Sequence, residues 1–524
     1  MIERERASLR DHPAIEVAAG LEPAAGFPSE RSTTSLKPIE LLKWLFSFPV
    51  MLGTILVGAV FYEVRGFFVD PDVWWHIRVG QDLLRTHHWP TIDSYSFTAA
   101  NTPWIAYEWL GDLILGSTAK WGGNAALVAL VITVAATTAL ALYYLGTLRS
   151  GNCKAGFITM LAMYLLLLIS FNLRPQMFGY LFLVTLLIVL EWFRKGVTWP
   201  VWMLPFLFLA WVNIHGSFVV GIGVLVVYLC AGLRSFQVGD VEAVAWSAKQ
   251  RTRLELALLL SLAALPLTPY GTQLAVYPFD MMLNQPVNVA FIKEWQTMPF
   301  NLAFGRLFLG VVLLLLVLQL LFRFTWRLEE LLLAIGGTAM ACLHVRMLLL
   351  FVPFVVPIFA TMMARWTPLY QKAKDQYILN ALLMGGVITA MIHYAPTREA
   401  LQARVNRDFP VGAVAYLDTH HVPERMLNAY YFGGYLVGTG RRVFIDGRGD
   451  LYEHAGVLAD VVSLTQMKPG ALSVLDRYQI KSCLLIRDEP LAVVLAALPN
   501  WKLVYIDSTA ALFVRSDADG SSSR

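Results

Sequence analysis

Between Leu41 and Tyr394 the chain is a succession of apolar runs broken by short polar turns. Many of the runs approach the roughly 20 residues that a helix needs to cross a bilayer. The pattern predicts eleven transmembrane helices, at 41–62, 124–147, 155–172, 176–193, 198–213, 217–234, 254–268, 302–322, 328–344, 347–365 and 378–394. Past Val405 the pattern changes. Strand-like runs at 443–446, 481–486, 502–506 and 510–515 alternate with helical stretches near 410–420, 454–464, 470–478 and 489–498. That alternation predicts a small α/β domain. Residues 1–36 are polar, lack the apolar core of a cleavable signal peptide, and are expected to be a disordered tail. The predicted organisation is therefore a membrane domain over 37–396, an α/β domain over 397–516 and a disordered tail over 517–524.

Composition agrees with a polytopic membrane protein, because 57% of the 524 residues are hydrophobic and only 15% are charged. A soluble domain cannot hide that much apolar side chain. The net charge of +4 is small and dispersed, which argues for no nucleic-acid partner. Cys153, Cys230, Cys342 and Cys483 lie far apart, with neither a disulfide framework nor a zinc spacing. The basic residues of the short loops sort into alternate turns: Arg149 and Lys154, Arg194 and Lys195, Arg251 and Arg253, Arg323 and Arg327, Lys372 and Lys374. Short basic loops stay in the cytoplasm. The N-terminus is thus expected in the cytoplasm, and an odd number of crossings puts the C-terminal domain outside.

The loops predicted to be external hold a different set of residues. The first, over 63–123, contains Asp70-Pro71-Asp72-Val73-Trp74-Trp75-His76, then Trp89-Pro90, then Tyr107-Glu108-Trp109-Leu110. Its Trp-rich segments near 73–86 and 103–116 suit amphipathic helices lying at the headgroups. Later external turns carry Arg174-Pro175-Gln176, Asn213-Ile214-His215-Gly216-Ser217, Pro269-Tyr270-Gly271, Glu294-Trp295 and His344-Val345-Arg346. Ionisable groups near a bilayer are costly and mark cavities or pathways. Arg174 and Arg346 also run against the positive-inside pattern. Their placement is explained by an anionic partner, either a carboxylate such as Asp72, Glu108 or Glu294 or a lipid phosphate.

This layout resembles the GT-C superfamily of membrane glycosyltransferases, including the Rgt-like and protein O-mannosyltransferase groups, whose acidic motif follows the first span on the outer face. Asp70-Pro71-Asp72 stands in that place, with Pro71 where many relatives carry a second acid. The chain departs again at Tyr107-Glu108-Trp109-Leu110, which replaces a Lys-Pro-Pro-Leu or His-Pro-Pro-Leu element. The full set of motifs more closely resembles an uncharacterised bacterial membrane-protein family. Its C-terminal marks are here Asn428 to Leu436 and Ile445 to Tyr452.

The GT-C resemblance implies transfer of a hexosyl or pentosyl unit from a polyprenyl-phosphate-linked donor to an envelope glycan, lipid or protein, at the outer face of the bacterial inner membrane. It implies Asp70 or Asp72 as the catalytic carboxylate, deprotonating or orienting the acceptor hydroxyl. Arg174, Arg346, His215 and His344 would bind the donor phosphate. His76, Glu108, Gln176, Tyr270 and Glu294 would contact sugar or acceptor. A divalent cation held by Asp70 and Asp72 is the one cofactor that it admits.

The Asp446-Gly447-Arg448-Gly449-Asp450 loop is expected to follow a strand at 443–446. It reads either as a turn tied by an Asp–Arg pair or as a ligand loop. The competing functions are a flippase or transporter of lipid-linked glycans and a catalytically silent glycan-binding scaffold. Transporters often show internal repeats and midplane polar residues. This chain shows neither, and its ionisable residues gather at the ends of the spans.

Overall fold

The computed structural model describes residues 38–66, 70–168 and 171–516, so both expected disordered tails lie outside the described residues. The chain is mainly helical, and a short helix α1 (Pro38–Leu45) stands as a unit of its own. The bundle begins with α2 (Phe48–Val64), free of Lys, Arg and Asp and started by a proline in its first turn, where a missing N–H costs nothing. It continues through α3 (Val73–Thr86), α4 (Trp109–Ser150), α5 (Cys153–Leu168), α6 (Gln176–Arg194), α7 (Leu204–Ile214), α8 (Phe218–Ala231) and α9 (Ala248–Ala264). Then come α10 (Gln273–Leu283), α11 (Pro286–Phe291), α12 (Ala303–Phe322), α13 (Leu328–Leu343), α14 (Leu348–Met363), α15 (Tyr377–His393) and α16 (Arg398–Asp408). Each of the eleven predicted segments falls on a helix. Four helices are by themselves long and apolar enough to cross a membrane, or up to six when bent pairs are counted as single spans.

The first loop departs from its prediction in one place. The helix α3 coincides with the expected 73–86, but the second starts at Trp109 rather than 103 and runs into the next span. Its backbone leaves helical geometry only at Gly122 and Gly123. Residues 103–106 are held extended instead, and 107–108 turn into the helix. Pro103 bridges Ile92, Trp104 N–H donates to the Thr91 carbonyl, and Ala106 N–H donates to the Tyr270 hydroxyl. With those groups engaged elsewhere, the helix can start only after them.

The C-terminal part carries α17 (Val411–Thr419), α18 (Tyr430–Gly438), α19 (Gly449–His454), α20 (Val457–Thr465), α21 (Ser473–Arg477) and α22 (Pro490–Ala497). Strands β1 (Phe236–Val238), β2 (Val241–Ala243) and β3 (Trp326–Arg327) form a small sheet between bundle loops. The C-terminal sheet is built from β4 (Met426–Asn428), β5 (Ser482–Ile486), β6 (Trp501–Ile506) and β7 (Ala510–Arg515), in the order β4-β5-β7-β6. The pair β4/β5 is parallel, and β5/β7 and β7/β6 are antiparallel. The expected strand at 443–446 is not part of this sheet, and β4 takes its place. Val443 instead exchanges backbone hydrogen bonds with Tyr95 and Phe97 of the first loop. Phe444 N–H and the Ile445 carbonyl are satisfied by the Asn428 side chain. A side chain and a distant loop have replaced the ladder.

Two hydrophobic cores result. One fills the bundle and takes in Leu401, Val405 and Phe409. The other joins the C-terminal sheet and helices to Trp75, Val79, Leu83, Trp104 and Ala106 of the first loop. Arg448 pins that junction from inside. It is fully buried, sits 2.6 Å from both Asp93 and Asp446, and stacks over Trp104 and Tyr95. The Asp446–Arg448 segment is thus a tied turn, the first of the two readings that the sequence left open.

Candidate active site

Two groups of ionisable side chains meet where the start of α4 faces the turns before α3, before α6 and after α7. The first group surrounds Arg174. Its Nε lies 2.6 Å from Asp70 Oδ2, Nη2 lies 2.9 Å from Asp72 Oδ2, and Nη1 lies 3.6 Å from Glu294 Oε1. Asp70 Oδ1 also accepts the Asp72 backbone N–H at 2.9 Å, which orders the acidic turn ahead of α3. Burial pushes the Asp72 carboxyl up to about 6, against the pull of Arg174 and with the push of Asp70 and Glu294. Burial opposes the ionisation of Glu294 too, but Arg174 and Arg346 outweigh it and hold that group below its usual value.

The second group is built by a close helix contact. A Cβ on Gly80 of α3 would overlap the Asp112 carbonyl of α4, so the two backbones touch there as only glycine allows. One turn before Gly80, His76 therefore reaches Asp112, with Nδ1 2.5 Å from Oδ1. Its other nitrogen, Nε2, is 3.7 Å from Glu108 Oε2, and His215 Nε2 is 3.5 Å from Glu108 Oε1. The Ser217 N–H donates to His215 Nδ1 at 3.1 Å, which places the proton of the neutral ring on Nε2, facing Glu108. Burial, helped by Arg174 and His215, drives His76 well below the usual imidazole range. Burial and then Arg346 bring His215 to about 3. Burial raises Glu108 to about 8, although Arg346 and Arg174 oppose it. At neutral pH the second group holds a protonated Glu108 between two neutral imidazoles, while Asp72 in the first group is ionised.

Arg346 completes the arrangement. It donates to Gln176 Oε1 at 3.3 Å and lies over the Trp295 ring, and among the described residues no carboxylate stands within ion-pair distance of it. His344 bonds the Trp295 carbonyl through Nδ1 at 2.6 Å, so that nitrogen carries the proton. Tyr270 is placed differently, as a clasp whose hydroxyl donates to the Pro90 carbonyl and accepts from Ala106 N–H. Among the described residues no group of three or more His, Cys, Asp or Glu is arranged to hold a metal ion. Between Asp70 and Asp72 the oxygens that would hold the expected divalent cation are engaged by the guanidinium of Arg174.

Sequence reasoning missed Asp112, which reads as an ordinary polar position on an amphipathic helix. The available signal was its i+4 spacing from Glu108, which puts both carboxyls on one helix face. Asp450, read from the sequence only as part of the 446–450 loop, and Tyr430, read only within the 428–436 motif, were not assigned to this site. Tyr430 is near enough for Asp72 to disfavour its ionisation, though burial is the larger cause. Burial raises Asp450 above the ordinary carboxylate range, and Tyr277 hydrogen-bonds it.

No family model matches the chain, and no curated protein matches it. Among solved structures the chain is similar to one described as the archaeal oligosaccharyltransferase AglB from Archaeoglobus fulgidus in complex with an inhibitory peptide and a dolichol-phosphate. Identity is 12% and the TM-score 0.46, over 83% of this chain and 69% of that one.

Proposed function

We propose that the protein is a GT-C-type membrane glycosyltransferase that moves a sugar from a polyprenyl-phosphate donor to an envelope acceptor outside the bacterial inner membrane. On this reading the shorter helices α5, α7, α8, α9 and α13 complete eleven crossings, with the C-terminal domain on the outer side. The observation that carries the proposal is a pairing asymmetry. Arg174 is shared by three carboxylates, while Arg346, close enough to act on Glu294 and Glu108, has no acid at ion-pair distance among the described residues. An unpaired guanidinium beside an ionised carboxylate suits an anionic donor and a hydroxyl acceptor.

Asp72, or Asp70 beside it, accepts the acceptor's proton as the oxygen attacks the anomeric carbon. The carbon–oxygen bond to phosphate breaks, and the leaving phosphate carries away the bonding electrons. Arg346 and Arg174 meet the charge that develops on it. His215, through Nε2–H, and His344 stand beside the donor, while His76, Glu108, Gln176 and Glu294 line the sugar and acceptor side.

The test is transfer from labelled polyprenyl-phosphate sugars to an envelope extract, in membranes holding wild type, Asp70→Asn, Asp72→Asn or Arg346→Ala. The reading expects turnover by wild type that persists in chelator. It expects loss in Asp72→Asn or Asp70→Asn, and a raised donor KM in Arg346→Ala. Equal transfer by all four would remove this site from the chemistry. Movement of a lipid-linked glycan across vesicles without transfer would favour a flippase, and glycan binding without either would favour a scaffold.

A further inference from the structure

The two C-terminal motifs, Asn428 to Leu436 and Ile445 to Tyr452, lie far from the acidic turn in sequence, yet both press on it. A Cβ on Gly447 would overlap Asp72 Oδ1, and one on Gly434 would overlap the Pro71 carbonyl. A Cβ on Gly438 would come 3.2 Å from the Trp74 Cβ. Three glycines thus face three successive parts of the segment Pro71-Asp72-Val73-Trp74. The ends of this wall are anchored: Asn428 bonds Phe444 and Ile445, and Arg448 is buried between Asp446 and Asp93. Asp72 is therefore gripped from two sides, by Arg174 at Oδ2 and by the Gly447 backbone at Oδ1.

We infer that the C-terminal domain is a working part of the site, and that Gly447 is a positioning residue which sets the place of the Asp72 carboxylate through a contact that only glycine permits. A side chain at 447 would push the carboxylate away from its seat, although the backbone at Gly447 has no left-handed φ that would itself demand glycine. Of the two acids, Asp72 is the one whose carboxylate a Cβ at 447 would meet, while Asp70 is held by Arg174 and the Asp72 N–H. The catalytic consequence rests on the proposed function, but the contact does not.

Two measurements separate those claims. In the first, infrared difference spectra between acidic and neutral pH read the Asp72 carboxyl of the purified full chain in nanodiscs, with no donor present. Asp72→Asn assigns the band. Gly447→Ala is expected to shift the midpoint of that band, and an unchanged midpoint in folded protein would overturn the inference. In the second, transfer is compared in a double-mutant cycle. If Gly447 acts through Asp72, Gly447→Ala lowers kcat about 10²-fold, the scale of a misplacement near 1 Å. It then has no further effect on residual transfer in the Asp72→Asn background. Additive losses would contradict it. A shifted band together with a wild type that shows no transfer would leave the positioning contact standing and sink the transferase reading.

Should Gly447→Ala fail to fold, the cysteine pair Trp74→Cys and Gly438→Cys tests the wall directly, since their Cβ atoms would lie 3.2 Å apart, slightly closer than the usual disulfide separation. Cross-linking that leaves the Asp72 band in place supports a fixed wall. Failure to cross-link, in a background without the four native cysteines, would refute it.

Discussion

The long helix α4 joins two ionic clusters of opposite character. At its start, Arg174 lies against Asp70, Asp72 and Glu294, and among the described residues Glu108 and Asp112 stand nearby without an arginine at ion-pair distance. At its end, Arg149 takes Glu330 in a bidentate grip at 2.5 and 3.1 Å, Arg327 lies 2.8 Å from Glu191, and Arg194 pairs with Glu329. Three arginines there meet three glutamates, and Arg194 is also stacked on Trp246. That paired cluster ties α4, α6 and α13 together, each of these arginines on a glutamate. The unbalanced one keeps Asp72 and Glu108 raised, His76 and His215 neutral, and Arg346 without an ion-pair partner among the described residues. A folded state tolerates such a mismatch only at a cost, and it is on this cluster that the proposed function rests.

The comparison can be broken by mutation. Asp72→Asn is expected to lower transfer about 10²- to 10⁴-fold, the usual weight of a positioned acid or base, as read by initial rates. The same change should raise thermal stability at neutral pH. Because the Asp72 carboxyl is raised from 3.8 to about 6, its charge costs the folded state stability in full above pH 6, and the cost fades as pH falls from about 6 to 3.8. At the far end the effects should invert. Arg149→Ala strands Glu330 and should cost about 3–5 kcal/mol in thermal or denaturant unfolding, while turnover per folded molecule stays near wild type. If Arg149→Ala removed turnover from protein that remained folded, the division into a structural and a functional cluster would fail.

A smaller change sharpens the picture inside the site itself. With Asp72 titrating near 6 and Glu108 near 8, transfer should rise through pH 6 as Asp72 ionises and decline above pH 8 as Glu108 loses its proton. Glu108→Gln should flatten only the alkaline limb, as pH–rate profiles of kcat would report. A bell that survives this change would mean that Glu108 is not the alkaline group.

Much of the bundle was legible because transfer from water to lipid acts on each apolar run separately, so local hydropathy locates the helices. The helix at 73–86 was legible for a similar reason, since its apolar and polar sides alternate at helical spacing. Legible too was the need of Arg174 for an anion, and Asp72 and Glu294 were among the partners it suggested. The run 443–446 shows the limit. Val443-Phe444-Ile445 has the composition of a strand, but its hydrogen bonds go to Asn428 and to the first loop, and no local propensity can report a partner that distant. Asp112 was hidden likewise, because only the Gly80 contact between α3 and α4 turns a helix-surface acid into the partner of His76.

What the sequence by itself determined is a helical membrane protein with an acidic turn, stray arginines near the span ends and a separate C-terminal region. Those follow from hydropathy, charge and spacing, each a property of neighbours along the chain. Only the tertiary structure decided that one arginine would hold three acids, that Glu108 would lie between two histidines, and that Gly447 would seat Asp72. These depend on close backbone approach and on burial, which change what a carboxylate costs and which residues it can reach.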